Sequence, residues 1–215
     1  MPGDSEIRKG LFLAAIFFCS SAATAADGND AADSKFELTP IFGYRFGGTF
    51  EIEGTDQAYE LDDSSSVGLI LNLRDQSNTQ WELLYAQQST DAKLSSGVLL
   101  QPLVGIDMQI LQIGGTYQGS GEKLRPYLAA TIGGTHISSD SNSDTFFSGS
   151  IGVGLQIMPE SRVGIRVEAR AYGTLTSSNT DLFCQTGPDQ NICAVRVDGK
   201  VLGQFETFAG VVFRF

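Results

Sequence analysis

The feature that most narrows what this chain can fold into is a two-residue alternation, apolar then small or polar, repeated in block after block from Phe36 onward. Successive side chains of a strand point to opposite faces, so each such block reads as an amphipathic strand. In 36–46 one face carries Phe36, Leu38, Pro40, Phe42, Tyr44 and Phe46, and the other Glu37, Thr39, Ile41, Gly43 and Arg45. Block 66–74 sets Val67, Leu69, Leu71 and Leu73 against Ser66, Gly68, Ile70, Asn72 and Arg74. Block 79–88 sets Trp81, Leu83 and Tyr85 against Glu82, Leu84, Ala86 and Gln88. In 146–158 the apolar face is Phe147, Ile151, Val153, Leu155 and Ile157. In 162–175 Val163, Ile165, Val167, Ala169 and Ala171 oppose Gly164, Arg166, Glu168, Arg170 and Tyr172. The last block, 201–215, sets Phe205, Ala209, Val211 and Phe213 against Gln204, Glu206 and Gly210. Blocks 104–118 and 124–137 are also extended, with their facing less sharply written. In the first, the preferred facing puts Leu111, Ile113 and Tyr117 on one side and Gln112, Gly114 and Thr116 on the other. Asp107 and Gln109 then fall on the apolar side, either above a membrane or behind a bulge that shifts the phase.

Eight such strands close into one of two barrels: one with its apolar face inside and water outside, or one with an apolar belt against lipid and a polar interior. The second face decides between them. It carries Gly, Ser, Thr and both signs of charge, where a solvated face would be coated with Lys, Glu and Asp. Charged residues are 18% of the chain, below the ~25% usual for soluble domains. Small residues suit the crowded inside of a narrow barrel. The connections agree: 75–78, 119–123 and 159–161 are short, whereas 51–65, 91–103, 138–145 and 177–200 are mostly long and polar. Short turns at one end and longer loops at the other are the pattern of an outer-membrane barrel. The fold expected is all-β: an eight-stranded antiparallel up-and-down transmembrane barrel over 35–215, with both termini in the periplasm.

Residues 1–25 read as a cleaved signal peptide, with Arg8 and Lys9 before the apolar stretch Leu11 to Cys19 and the small residues Ala23-Thr24-Ala25 at the cleavage point. A short periplasmic segment, 26–34, follows. Cys19 lacks the small preceding residue of a lipobox, since Phe18 stands there. Cleavage removes Asp4, Glu6, Arg8 and Lys9, a net of zero, so the mature chain keeps the net charge of −11. Export leaves Cys184 and Cys193 as an even pair in an oxidising compartment, read as a disulfide that staples a loop and constrains the unfolded chain by roughly 2–3 kcal/mol. Two free thiols are the alternative.

Composition removes several function classes. A single His excludes a metal site built on several histidines, and 25 Asp+Glu against 14 Lys+Arg repel a phosphate backbone, so no nucleic-acid partner is expected. No phosphate loop, paired-cysteine zinc motif or dinucleotide fingerprint occurs, and no cofactor is expected.

Phe215 closes the sequence, with Phe213, Val211, Ala209 and Thr207 at alternate positions behind it. At this point the chain resembles the small eight-stranded outer-membrane barrels of Gram-negative bacteria, of the OmpA, OmpX and OmpW kind. Gly114-Gly115-Thr116-Tyr117 followed by Arg125-Pro126-Tyr127-Leu128-Ala129-Ala130 looks like a turn region of uncharacterised members of that group. The resemblance covers 35–215 in architecture more than in motif. It implies residence in the cell outer membrane, contact with its lipid and lipopolysaccharide, and reading of Phe213 and Phe215 by the barrel-assembly machinery. A monomer is expected.

The expected lumen holds Arg45, Arg74, Arg166 and Arg170 with Glu37, Glu82, Glu168 and Glu206, four charges of each sign. Buried charges must pair. This set therefore reads as a plug, with a selectivity filter or gate as the alternative. Arg166, Glu168, Arg170 and Glu206, with Arg45 across the barrel seam, are expected to form one network. The outer loops carry Glu51, Glu53, Asp56, Glu60, Asp62, Asp63, Asp140 and Asp144, read as a solvated repulsive surface rather than a cation site. His136 and Ser138 share a strand face and are the one nucleophile-and-base candidate. A His-x-Ser pair also occurs in lipid A deacylase barrels, but the flanking residues of that motif are missing here. The expectation is a non-enzymatic barrel with a structural or surface-interaction role. A narrow channel or carrier for small solutes is the alternative, and a lipid-modifying enzyme the minor one.

Overall fold

The computed structural model describes residues 34–51, 58–94, 104–139, 143–176, 184–186, 191–193 and 201–215. The expected signal peptide, and Glu53, Asp56 and Asp140, lie outside them. Eight long strands run in order: β1 (Phe36–Phe46), β2 (Ser64–Arg74), β3 (Thr79–Leu94), β4 (Val104–Gln118), β5 (Leu124–Ser139), β6 (Ser143–Ile157), β7 (Val163–Leu175) and β8 (Val201–Arg214). Each pairs antiparallel with the next, and β1 pairs with β8, which closes the barrel. Two short ribbons decorate the loop end. Thr49–Glu51 pairs with Ala58–Leu61, which pairs in turn with the far end of β3, and Cys184–Thr186 pairs with Asn191–Cys193.

The alternation places the side chains as the sequence expected. Phe42, Leu111, Ile113, Ile151 and Phe205 stand 57–68% exposed on the outside, in a closed barrel whose outward apolar side chains must be met by lipid. Asp107 and Gln109 keep their outward phase, because the β3–β4 ladder is unbroken from Thr79↔Tyr117 to Ala92↔Val104. No bulge intervenes, and the Ser89 hydroxyl donates to Asp107 at 2.5 Å. Aromatic residues ring the short-turn end with Phe36, Trp81, Tyr117, Phe213 and Phe215, all outward.

Two features depart from the sequence reading. The connection taken as 138–145 shrinks to 140–142, because β5 and β6 stay paired through His136↔Thr145 and Ser138↔Ser143. A run of Ser, Asp and Asn reads as loop, yet the ladder is made by the backbone and extends once the flanking strands are fixed. Strand β3 likewise runs on to Leu94, into the stretch taken as the 91–103 connection. Strands β3 to β6 thus reach 15–16 residues, against 11 in β1 and β2, so the wall is taller on one side. Gly114–Tyr117 and Arg125–Ala130 lie in β4 and β5, on either side of the short connection at 119–123, as the extended blocks 104–118 and 124–137 implied.

Two inward glycines let these strands lie close. A Cβ on Gly114 would sit 2.0 Å from the Ala130 carbonyl oxygen, and one on Gly133 2.2 Å from that of Leu111. Backbone cannot step aside as a side chain can. Gly133→Ala is therefore expected to lower stability by about 1–3 kcal/mol in urea unfolding of the refolded barrel. An unchanged midpoint would mean the strands have room to part.

Candidate functional site

The charged residues of the inner face sort into three groups along the barrel axis. At the short-turn end Arg214 Nε donates to Glu37 Oε1 at 2.9 Å, and its Nη1 donates to the carbonyls of Ser161 at 2.7 Å and Met158 at 3.3 Å. Gln156 Nε2 donates to the other Glu37 oxygen at 3.2 Å. Met158 holds a left-handed φ of 55° in the turn that offers those carbonyls.

The middle group is a closed circuit. Arg166 and Arg170 project from the same face of β7, with Glu168 between them. Arg166 Nη2 lies 2.7 Å from Glu168 and 2.8 Å from Glu82, and Arg170 lies 2.5 Å from Glu168 and 2.6 Å from Glu82. Glu82 reaches them from β3 across the lumen, one oxygen for each guanidinium. Tyr127 donates to Glu168 at 2.6 Å and receives Arg166 Nε at 2.7 Å, while Asn72 accepts from Arg166 at 3.1 Å. Gln112, Thr131 and Ser150 continue the hydrogen bonding beside Arg170.

The third group lies nearer the loops. Arg45 Nη2 donates to Glu206 at 3.0 Å, and Glu206 also accepts from Tyr172 at 2.6 Å and from the Ser66 hydroxyl. The Arg45 guanidinium lies 4.6 Å from the Tyr172 ring centroid, close enough for a cation–π contact. Arg45, Arg166, Arg170, Glu82, Glu168 and Glu206 are each at most 2% exposed.

Seven of the eight expected network residues therefore line the lumen: Arg45, Arg166, Arg170, Glu37, Glu82, Glu168 and Glu206. Arg74 has the expected parity but stands half-buried at the short-turn rim. The fourth cation of the three groups is Arg214, which the sequence reading missed. Its parity with Glu206 and Gly210 was the available signal. The single network expected is also divided. Glu206 is in register with Arg170, yet it bonds Arg45 across the seam, because Glu82 and Glu168 already engage Arg170. Nor is the interior uniformly polar. Ile41, Ile70, Leu84, Ala86, Ile110, Tyr172 and Phe208 form a buried apolar layer, and Ile106, Met108, Ile137, Phe146 and Leu202 line the loop end.

A guanidinium does not give up its proton in proteins, and each of the four lumen glutamates accepts at least two hydrogen bonds, most of them from arginine. Among the described residues no three His, Cys, Asp or Glu side chains converge as a metal cage would need. His136 and Ser138 face outward, and His136 Nδ1 lies 2.9 Å from the Thr145 hydroxyl. Cys184 and Cys193 are directly opposed in their ribbon.

No protein-family model and no curated protein matches this chain. Among solved structures it is similar to Neisserial surface protein A, at 12% identity over 84% of this chain and 97% of that one, with a TM-score of 0.58. It is likewise similar to the outer membrane protein OprG from Pseudomonas aeruginosa, at 13% identity over 85% and 96%, with a TM-score of 0.54. At such identities the likeness is one of fold.

Proposed function

We propose, for a chain that has the fold of the small eight-stranded barrels of the cell outer membrane, that it is a sealed barrel with a structural or surface-interaction role. The observation that carries this is the lumen itself. Four arginines and four glutamates, paired and buried, stand where a conducting path would run. Eight strands leave room for little else. The short-turn end faces the periplasm and the taller wall of β3 to β6 rises at the cell surface. Above the belt that wall turns polar, with Gln87, Gln109, His136 and Thr145 in one cross-strand row. On this reading the row meets the headgroup and sugar region of lipopolysaccharide, and Cys184–Cys193 is a bridge stapling the last loop. We assign no catalytic role to His136 and Ser138.

In planar bilayers the protein is expected to carry no steady ion current. Replacing Glu82, Arg166, Glu168 and Arg170 together with alanine is expected to open a path and raise conductance. Steady conductance by the unaltered barrel would overturn the seal and favour the narrow channel. One observation speaks for that second reading. Thr39 Oγ1, Gln80 Nε2, Gln156 Oε1 and Arg214 Nη2 are buried without a protein partner toward the short-turn end, and Arg45 Nε is so nearer the loops. Buried polar atoms of this kind call for water. On that second reading water enters from the periplasm as far as the Arg166–Glu82 layer, and the question for conductance is whether it passes.

A further inference from the structure

Around the barrel, every strand pairing but one joins strands consecutive in the chain, where the connection limits which residues can meet. The exception is the seam. Its partners β1 and β8 are separated by 161 residues between Arg45 and Glu206 and by 177 between Glu37 and Arg214, so no turn sets their register. The outward side chains cannot set it either. Leu38, Phe42, Tyr44 and Phe46 on one strand and Thr207, Ala209, Val211 and Phe213 on the other all face lipid, and a slip of two residues leaves each of them there.

The backbone is weakest at the same place. Phe36 and Phe215 exchange amide hydrogen bonds at 3.2 and 3.1 Å, so the even-numbered residues of β1 aim their amides at β8. Pro40 is one of these, and it has no N–H to give. The ladder accordingly steps from Leu38↔Phe213 to Ile41↔Gly210. On either side of this gap stands an ion pair between directly opposed residues: Glu37↔Arg214 at 2.9 Å and Arg45↔Glu206 at 3.0 Å.

We infer that these two ion pairs are the register clasp of the seam, selecting the one alignment in which the first and last strands close the barrel. A slip of two residues in one direction sets Arg45 against Gln204 and Arg214 against Lys35. In the other direction it sets Arg45 against Phe208 and Glu206 against Gly47. Either way buried charges lose their partners, which the lumen tolerates poorly. Fixing register is also the best-attested use of buried polar pairs.

Paired cysteines on the outer face test the inference, in the full chain assembled in cells with its own cysteines replaced by serine. Phe42→Cys with Ala209→Cys reports the native register, and Phe42→Cys with Thr207→Cys or Val211→Cys reports the two slips. With both clasps present, only the native pair is expected to cross-link on oxidation. Neutralising both, as Glu37→Gln with Glu206→Gln, is expected to raise the slipped cross-links at least about tenfold. Glu82→Gln, which weakens equally buried pairs away from the seam, is expected to leave the cross-link native even where it lowers stability. Should the doubly neutralised chain yield no folded barrel, Glu37→Gln and Glu206→Gln are read singly in the same way. Slipped cross-links no more abundant than in Glu82→Gln would overturn the clasp.

Discussion

Replacing Glu82 with alanine is expected to lower the unfolding free energy of the barrel by about 3–5 kcal/mol, the largest effect of any single lumen substitution. Glu82 gives one oxygen to Arg170 at 2.6 Å and the other to Arg166 at 2.8 Å. Its loss leaves two buried guanidiniums to share Glu168. Desolvation of both cations has already been incurred in the fold, so the remaining carboxylate cannot compensate them. Urea unfolding in lipid vesicles, followed by the gel mobility of folded and unfolded forms, reads the change. Glu160→Ala is the matching control, since its pair with Arg125 spans 3.5 Å with the glutamate 59% exposed, and exposed pairs contribute little. A loss under about 1 kcal/mol for Glu82→Ala would mean that water already solvates the circuit, and the seal would fall with it.

Replacing Val167 with arginine is expected to cost about 2–4 kcal/mol. Val167 is outward and 46% exposed, with Leu155 and Ala209 beside it on the neighbouring strands. It lies midway along the apolar row of β7, where an arginine must either enter hydrocarbon or thin the bilayer around itself. The same substitution at Gln109, on the polar part of the wall, is expected to change stability by less than about 1 kcal/mol. Equal costs at the two sites would show that the belt is not centred where the alternation places it.

The barrel was legible because both of its faces obey one rule. A period of two, with small residues on the second face, gives strand, facing and closure together, and it held even for Asp107, which stands above the belt without breaking phase. Strand ends were less legible. Residues 138–145 are rich in Ser, Asp and Asn, and nothing local says that β5 and β6 will carry their pairing through them. The site was legible as a set of lumen charges but not as a wiring diagram. Which carboxylate a guanidinium reaches depends on barrel width and side-chain length, so Glu82 could meet β7 from across the lumen while Arg170 passed over its in-register neighbour Glu206. Arg214 escaped notice as the next-to-last residue, and Arg74 was counted because parity alone does not separate the rim from the interior. The apolar layer around Phe208 and Leu84 runs against the simple expectation of a polar interior. It packs beside the charges rather than beyond them, with Phe208 opposite Glu168 in the ladder and its ring 5.9 Å from the Arg170 guanidinium.

The balance of charge inside the wall bears on how the protein meets voltage. Moving one elementary charge through a membrane potential involves about 2.3 kcal/mol per 100 mV. The three lumen groups sum to zero, with Arg45 against Glu206, Arg166 and Arg170 against Glu82 and Glu168, and Arg214 against Glu37. A potential across the membrane therefore exerts no net pull on the interior taken as a unit, and opposed forces on each pair act only to polarise it. A potential finds nothing in this barrel to drive out, because its charges answer the field in pairs.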